Sequence, residues 1–234
     1  MGLRPVTSNG NPNSNKKFKA SDVEVVEKTR VWDGYFQLDK YLLRHALHNG
    51  NTSGEMSREI FERGHAAAAL LYDPILEKLV FIEQFRPGAY AALSSPWFDE
   101  KTFSPWMLEI VAGIIDEGET PEAVIRRETV EEANLKVLDI IPITHYLVTP
   151  GGSSESMFLF CAKTDAENAG GVFGLDEEHE DIRVLSVDVS TALKWIDDGR
   201  FKNSMTLIAM QWFNANHKQL KKIWGAPPSP ETPN

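Results

Sequence analysis

Residues 112–135, AGIIDEGETPEAVIRRETVEEANL, constrain the fold of this chain more than any other stretch. An apolar segment, MLEIVAG, ends at Gly113, and a polar loop continues to Glu119. Thr120 and Pro121 then open a helix: Thr is a good N-cap, and Pro at the first helical position lacks only an N–H that would go unpaired anyway. The helix is expected to run to about Ala133, with Asn134 taking the left-handed conformation that closes a helix. With Glu128 set at zero and about 100° per residue, Glu132 falls near ~40° and Glu131 near about −60°. Three glutamates therefore share one stripe, where like charges repel by ~0.2–0.5 kcal/mol per pair. Arg126 and Arg127 could make this a solvated acidic face laced with ion pairs. A divalent cation would instead turn the repulsion into a binding site, and hard carboxylate oxygens favour Mg²⁺ or Mn²⁺ over zinc.

The rest of the chain narrows the classes. With 234 residues it is long enough for one generous domain or two small ones, and 42% apolar content supports a real core. A net charge of −10 argues against a nucleic-acid partner, which needs an excess of Lys and Arg. Cys161 is the only cysteine, so no intrachain disulfide and no zinc cluster of the CxxC type can form, and this thiol is expected to be buried and inert. The longest apolar run, residues 66–72, falls far short of the ~18 residues of a membrane span. The first twenty residues have no apolar h-region. A cytoplasmic enzyme is the expectation.

Residues 1–20 are rich in Asn, Ser, Gly and Pro and read as a disordered tail, as do residues 225–234 with their four prolines. Residues 21–62 read as a small β-rich region, with alternating stretches at 23–26 and 31–38 and a polar loop at 48–55 in which Ser53-Gly54 could mark a boundary. Residues 63–224 read as the main domain. There, 66–72, 78–84, 106–111, 157–163 and 181–187 are strand candidates, and the first two are expected to pair. Helices are expected at 191–196, capped by Ser190, and at 205–213. Residues 91–105 form a long loop, a class that is often functional.

The residues around the glutamate stripe resemble the Nudix box, G-x5-E-x7-R-E-U-x-E-E-x-G-U with U a bulky aliphatic residue. Gly113, Glu119, Arg127, Glu128, Glu131, Glu132 and Leu135 match, whereas Thr129 replaces the first aliphatic and Asn134 the second glycine. The chain is accordingly identified as a member of the Nudix hydrolase family. REIFERGHAA, EQFR, LEIVAGIIDEGE, TPGGSSE and GLDEEHEDIRV resemble its bacterial ADP-ribose pyrophosphatase branch, as does Pro150, fifteen residues beyond Leu135.

The resemblance implies an α/β fold, an α/β/α sandwich with a mixed sheet, plus an N-terminal β-rich subdomain strand-exchanged in a homodimer. It implies Glu128 and Glu132 as main metal ligands, with Glu131, the Ala112 carbonyl and Glu180 assisting, and two or more Mg²⁺ or Mn²⁺ ions. Gly113, Glu119 and Arg127 would support them. Glu178 would be the general base, with Glu180 as a substitute. Trp32, Arg58, Arg86, Pro150 and Glu155 would bind a nucleoside diphosphate sugar, with Trp32 and Arg58 entering the partner's site. The implied reaction is hydrolysis of ADP-ribose to AMP and ribose 5-phosphate. The alternatives are another nucleoside diphosphate sugar such as GDP-mannose, or a non-catalytic nucleotide-binding regulatory module.

Several residues carry simpler readings. Pro150-Gly151-Gly152 is first of all a turn. Ser153 and Ser154 do not sit in G-x-S-x-G, and GGSS lacks the Lys of a P-loop. His145 and His179 have no second His at metal-ligand spacing. Trp32 could equally be a core or dimer-contact residue.

Overall fold

The computed structural model describes residues 17–175, 177 and 179–225. The chain divides into two compact units. One ends at Arg63 and takes in Thr149–Glu155, and the other begins at Gly64 and excludes that loop.

The first unit holds β1 (Val23–Asp33), β2 (Gln37–His45) and β3 (Met56–Glu62), an antiparallel sheet in the order β1-β2-β3. Residues 34–36 turn the chain between β1 and β2, so the alternating stretch 31–38 spans a hairpin. Ser53 and Gly54 lie inside this unit, between β2 and β3. The loop 149–155 is tied to β3: Phe61 donates its N–H to the Gly152 carbonyl at 2.8 Å, and Ser153 Oγ donates to the Phe61 carbonyl at 3.0 Å.

The second unit is a mixed sheet between helical layers. Its strands are β4 (Ala66–Asp73), β5 (Lys78–Phe85), β6 (Trp106–Glu109), β7 (Val111–Ile114), β8 (Asp139–Leu147), β9 (Ser156–Lys163), β10 (Gly171–Phe173) and β11 (Ile182–Asp188). The order is β10-β11-β5-β4-β9-β8, with β6 on β5 and β7 on β4. β4 and β9 run parallel, and the other pairings are antiparallel. The helices are α1 (Pro87–Ala92), α2 (Pro121–Ala133), α3 (Val189–Asp197) and α4 (Ser204–Trp224).

β4 reads as an unbroken apolar run because both its faces are covered. Ala67, Ala69 and Leu71 pack with Val80, Ile82 and the α2 residues Val124 and Ile125. Ala66, Ala68, Leu70 and Tyr72 pack with Phe81 and with Ala209, Met210 and Phe213 of α4. Cys161 is buried in the same α4-side layer as a free thiol, and burial pushes its pKa up.

The antiparallel pairing of 66–72 with 78–84 matches the sequence reading. The single strand expected at 106–111 is instead two, broken at Ile110. There the chain leaves β5 for β4, and the Ile110 N–H donates to Thr206 Oγ1 of α4 at 3.2 Å. α3 starts at Val189, ahead of Ser190: the Val189 N–H donates to the Glu77 carbonyl at 2.9 Å, and the residue before it, Asp188, makes no side-chain cap. α4 extends eleven residues past Phe213, to Trp224. Residues 91 and 92 end α1 rather than belonging to the loop. Among the described residues no helix is long and apolar enough to cross a membrane.

Candidate active site

α2 forms for the local reasons its sequence contains. Thr120 Oγ1 accepts from the Ala123 N–H at 3.2 Å, Pro121 occupies the first turn, and Asn134 takes φ 51°, ψ 35°. The Asn134 and Leu135 N–H groups close on the carbonyls of Val130 and Thr129. Both departures from the Nudix pattern are thereby accommodated. Asn tolerates the left-handed end. Thr129 is fully buried, and its hydroxyl donates back to the Ile125 carbonyl at 2.6 Å, so no polar group is stranded.

The apolar face of α2 carries Val124, Ile125 and Ala133 onto the sheet, and it carries Glu132 with them, only 3% exposed. Glu132 Oε2 accepts from the Ala112 N–H of β7 at 3.0 Å. Burial pushes its pKa up to about 8; the Ala112 bond opposes this and the Glu128 charge adds to it. Glu128 is largely buried too, and burial raises its pKa to about 7 against the pull of Arg127. It lies where a side chain on Gly113 would be: a β-carbon there would meet Glu128 Oε1 at 1.8 Å.

Arg127 gathers the loop and the stripe. Its Nε and Nη2 donate to Glu119 at 3.1 and 3.2 Å, and its Nη1 donates to Glu128 at 2.7 Å and to Glu131 at 3.0 Å. Arg127 and the Asp116 N–H hold the Glu119 carboxyl below its ordinary range. Glu180 closes its own loop, accepting from the Leu175 N–H at 3.2 Å and donating its N–H to the Leu175 carbonyl at 3.3 Å. Its charge helps to raise the pKa of both Glu128 and Glu132. Glu178 lies outside the described residues.

With Glu128 and Glu131 turned onto Arg127 and Glu132 onto Ala112, no three acidic or imidazole side chains among the described residues converge closely enough to hold a metal ion in this arrangement. The donor set still fits a hard cation. Two neighbouring carboxylates are buried at a cost their protein partners do not cover, which is the environment an added positive charge stabilises.

Arg86, at the end of β5, also belongs to this unit, and its charge works against the raised pKa of Glu132. It is paired with Glu109 of β6, a buried carboxylate to which the sequence reading assigned no role. The signal was present: one acid in an otherwise apolar strand, WMLEIVAG, needs a buried partner. A second unforeseen feature is the pair of histidines around Ser156. His65 Nδ1 and His145 Nε2 lie 2.9 and 2.8 Å from its hydroxyl, and the His145 ring stacks on Phe158.

The remaining expected site residues belong to the first unit. Trp32 on β1 is 66% exposed, which removes the core reading within this chain. Arg58 on β3 is exposed, pairs across the sheet with Tyr41, and donates to the Ser57 carbonyl at 2.7 Å. Pro150 lies at the turn formed by the Thr149 carbonyl with the Gly152 and Ser153 N–H groups. Glu155 is buried beside Arg63, at 3.5 Å.

Comparison with known proteins finds relatives along most of the chain. Residues 63–204 match the NUDIX domain family model. The chain is 43% identical over 207 residues to a protein of Escherichia coli strain K12 named ADP-ribose pyrophosphatase, covering 88% of this chain and 95% of the relative. It is 31% identical over 195 residues to a protein of Pectobacterium atrosepticum named GDP-mannose pyrophosphatase, covering 82% and 94%. A solved structure described as an ADP compounds hydrolase superposes with a TM-score of 0.56 at 19% identity, covering 86% of this chain and 92% of the other, and so shares the fold. A buried glutamate pair on a capped helix, the glycine that makes room for it and the arginine that ties it to Glu119 all fall within the matched span, and this chain belongs to the NUDIX domain family.

Proposed function

We propose that this chain is a metal-dependent pyrophosphohydrolase that cleaves the diphosphate bond of ADP-ribose to AMP and ribose 5-phosphate. The observation that carries the reading is the buried pair Glu128 and Glu132 on α2, where Glu132 accepts from the Ala112 N–H of β7 and Glu128 fills the space that Gly113 leaves. The 43% identity to the E. coli relative supports ADP-ribose over GDP-mannose, whose named relative is more distant. The intact set of Glu128, Glu131 and Glu132 disfavours the regulatory module, in which their burial and mutual repulsion would serve nothing.

Glu128 and Glu132 would hold the metal, with Glu131, Glu180 and the Ala112 carbonyl as further oxygen donors. Bound Mg²⁺ or Mn²⁺, as two or more ions, would neutralise the diphosphate and lower the pKa of a coordinated water. Arg127 keeps Glu119 and the α2 carboxylates in register. Glu178 is assigned the proton of the attacking water, with Glu180 as the alternative base.

Arg86 and Arg58 are assigned to the anionic substrate, Trp32 to the adenine, and Glu155 and Pro150 to the sugar end. A homodimer that exchanges N-terminal strands accounts for β1, exposed along its whole length with Val23, Val25, Val26, Val31 and Trp32 open to solvent. A cytoplasmic location is consistent with this chemistry, and neither nucleic acid nor membrane is assigned as a partner.

The test is hydrolysis of a panel with Mg²⁺: ADP-ribose, ADP-glucose, GDP-mannose, NADH and diadenosine polyphosphates. Selective release of AMP from ADP-ribose is expected, and Glu132→Gln is expected to lose at least ~10³-fold in kcat while remaining folded. Preference for GDP-mannose would move the substrate, and unchanged turnover in Glu132→Gln would remove the site.

A further inference from the structure

We propose that Glu109 is a positioning residue for substrate binding, clamping the Arg86 guanidinium by one edge so that the other stays free for the diphosphate. The proposal rests on Arg86 as a substrate-binding residue in the reading above.

The β5–β6 register pairs Glu109 with Ile82. Ile82 packs with Val124 and Ile125 of α2, so the Glu109 side chain leaves the sheet on the face that carries the glutamate pair. Glu109 is 4% exposed. Both Nε and Nη2 of Arg86 stand 2.8 Å from the same oxygen, Glu109 Oε2. Those contacts fix the planar fork along one edge, leave Nη1 uncommitted to Glu109, and still leave the Arg86 side chain 40% exposed. An arginine aimed during folding loses less rotamer freedom when an anion arrives. Arg86 also caps α1, its carbonyl accepting from the Tyr90 N–H at 3.1 Å, so backbone and side chain are both anchored.

The polar pocket around Glu109 contains a second unusual group. Gln84 is 6% exposed, and its side chain lies close enough to the Glu109 carboxyl to favour the charged form, although Nε2 makes no hydrogen bond of ordinary geometry among the described residues. A strand packed only for stability would place apolar side chains at 84 and 109, as it does at 80 and 82. The polar set stands instead where one arginine must be held next to the catalytic carboxylates.

The experiment is a double-mutant cycle on kcat and KM for ADP-ribose with Mg²⁺, using wild type, Glu109→Gln, Arg86→Lys and the double variant. A melting curve accompanies each. Glu109→Gln is expected to raise KM about tenfold with kcat within about twofold, and the double variant to be no worse than Arg86→Lys alone. An unchanged KM, or two losses that multiply, would overturn the proposal. A uniform fall in kcat with a lowered melting temperature would also overturn it, since that is the signature of structural glue. ADP titrated calorimetrically with Mg²⁺ separates this failure from that of the parent reading. If wild type binds ADP without hydrolysing ADP-ribose, equal weakening of ADP binding by Glu109→Gln and Arg86→Lys would uphold the clamp. Unweakened binding, or no binding by wild type, would reject it.

Discussion

The β-carbon that Gly113 lacks would fall 1.8 Å from Glu128 Oε1, inside the carboxylate that leads the α2 stripe. The glycine is therefore a matter of space. The nearest atoms of Glu128 are its Oε1, Cδ and Cγ, the outer part of a flexible side chain. Gly113→Ala should thus displace the carboxylate more than the fold. A stability loss of about 1–3 kcal/mol is expected in a melting curve, with a fall in kcat of ~10²-fold for a displacement near ~1 Å. Wild-type turnover in Gly113→Ala would show that the position of Glu128 does not matter.

The glutamate pair makes stability depend on pH in an uncommon direction. Glu128 and Glu132 have folded-state values of about 7 and about 8, above their ordinary 4.5. The folded state therefore holds protons that the unfolded chain has released. The stabilisation is complete below pH ~4.5 and is lost as pH rises toward ~8, each carboxyl losing about 1.4 kcal/mol for every pH unit crossed between its unfolded and folded values. Metal-free protein in EDTA should melt at lower temperature at pH 8 than at pH 6, once the contribution of other groups is removed by comparison with Glu132→Gln. Mg²⁺ should restore the loss by binding the ionised form. A difference between wild type and Glu132→Gln that does not vary with pH would contradict the burial argument.

Glu119 and Arg127 should behave as one unit. Two hydrogen bonds join them, and Arg127 passes the constraint to Glu128 and Glu131. Glu119→Gln and Arg127→Lys should each reduce kcat, with Arg127→Lys the worse because a lysine cannot form the fork. Combined, they should lose less than the product of the two. A multiplicative loss in steady-state kinetics would mean that they act separately.

Glu178→Gln should cut kcat far more than KM, as removal of a general base does, and the acidic limb of the pH–rate profile should change with it. Glu180→Gln should act differently. Because Glu180 raises the proton affinity of Glu128 and Glu132, its neutralisation should lower both pKa values in metal-free protein. If Glu180→Gln alone abolishes turnover, the base is Glu180.

Sedimentation at micromolar concentration should give a dimer of the 234-residue chain. Val25→Lys, on the exposed face of β1, should shift it toward monomer and lower activity in parallel. A fully active monomer would reject both the dimer and the shared site.

Much of the candidate site was legible because its determinants are local. The cap at Thr120, Pro121 and the left-handed Asn134 need only their own neighbours to act, and their spacing from Gly113 survives in one dimension. The pairing of 66–72 with 78–84 was legible for the same reason, with the turn signal Asp73-Pro74 between two apolar runs. The break at Ile110, the start of α3 ahead of Ser190 and the full length of α4 were not. Each depends on a distant partner: Thr206 takes the Ile110 N–H, Glu77 takes the Val189 N–H, and the far half of α4 is held by Leu220 and Trp224 packing on the sheet.

The sequence by itself determined that three glutamates would share one helical stripe near a glycine, because helix periodicity is a property of the backbone. Only the tertiary structure decided that they would not be equivalent. Packing α2 on the sheet buries Glu132 and Glu128 and leaves Glu131 more open, and desolvation is set by what covers a group rather than by its place in the chain. The same holds for Glu109 and Arg86, twenty-three residues apart, which became a pair only when β6 laid itself against β5.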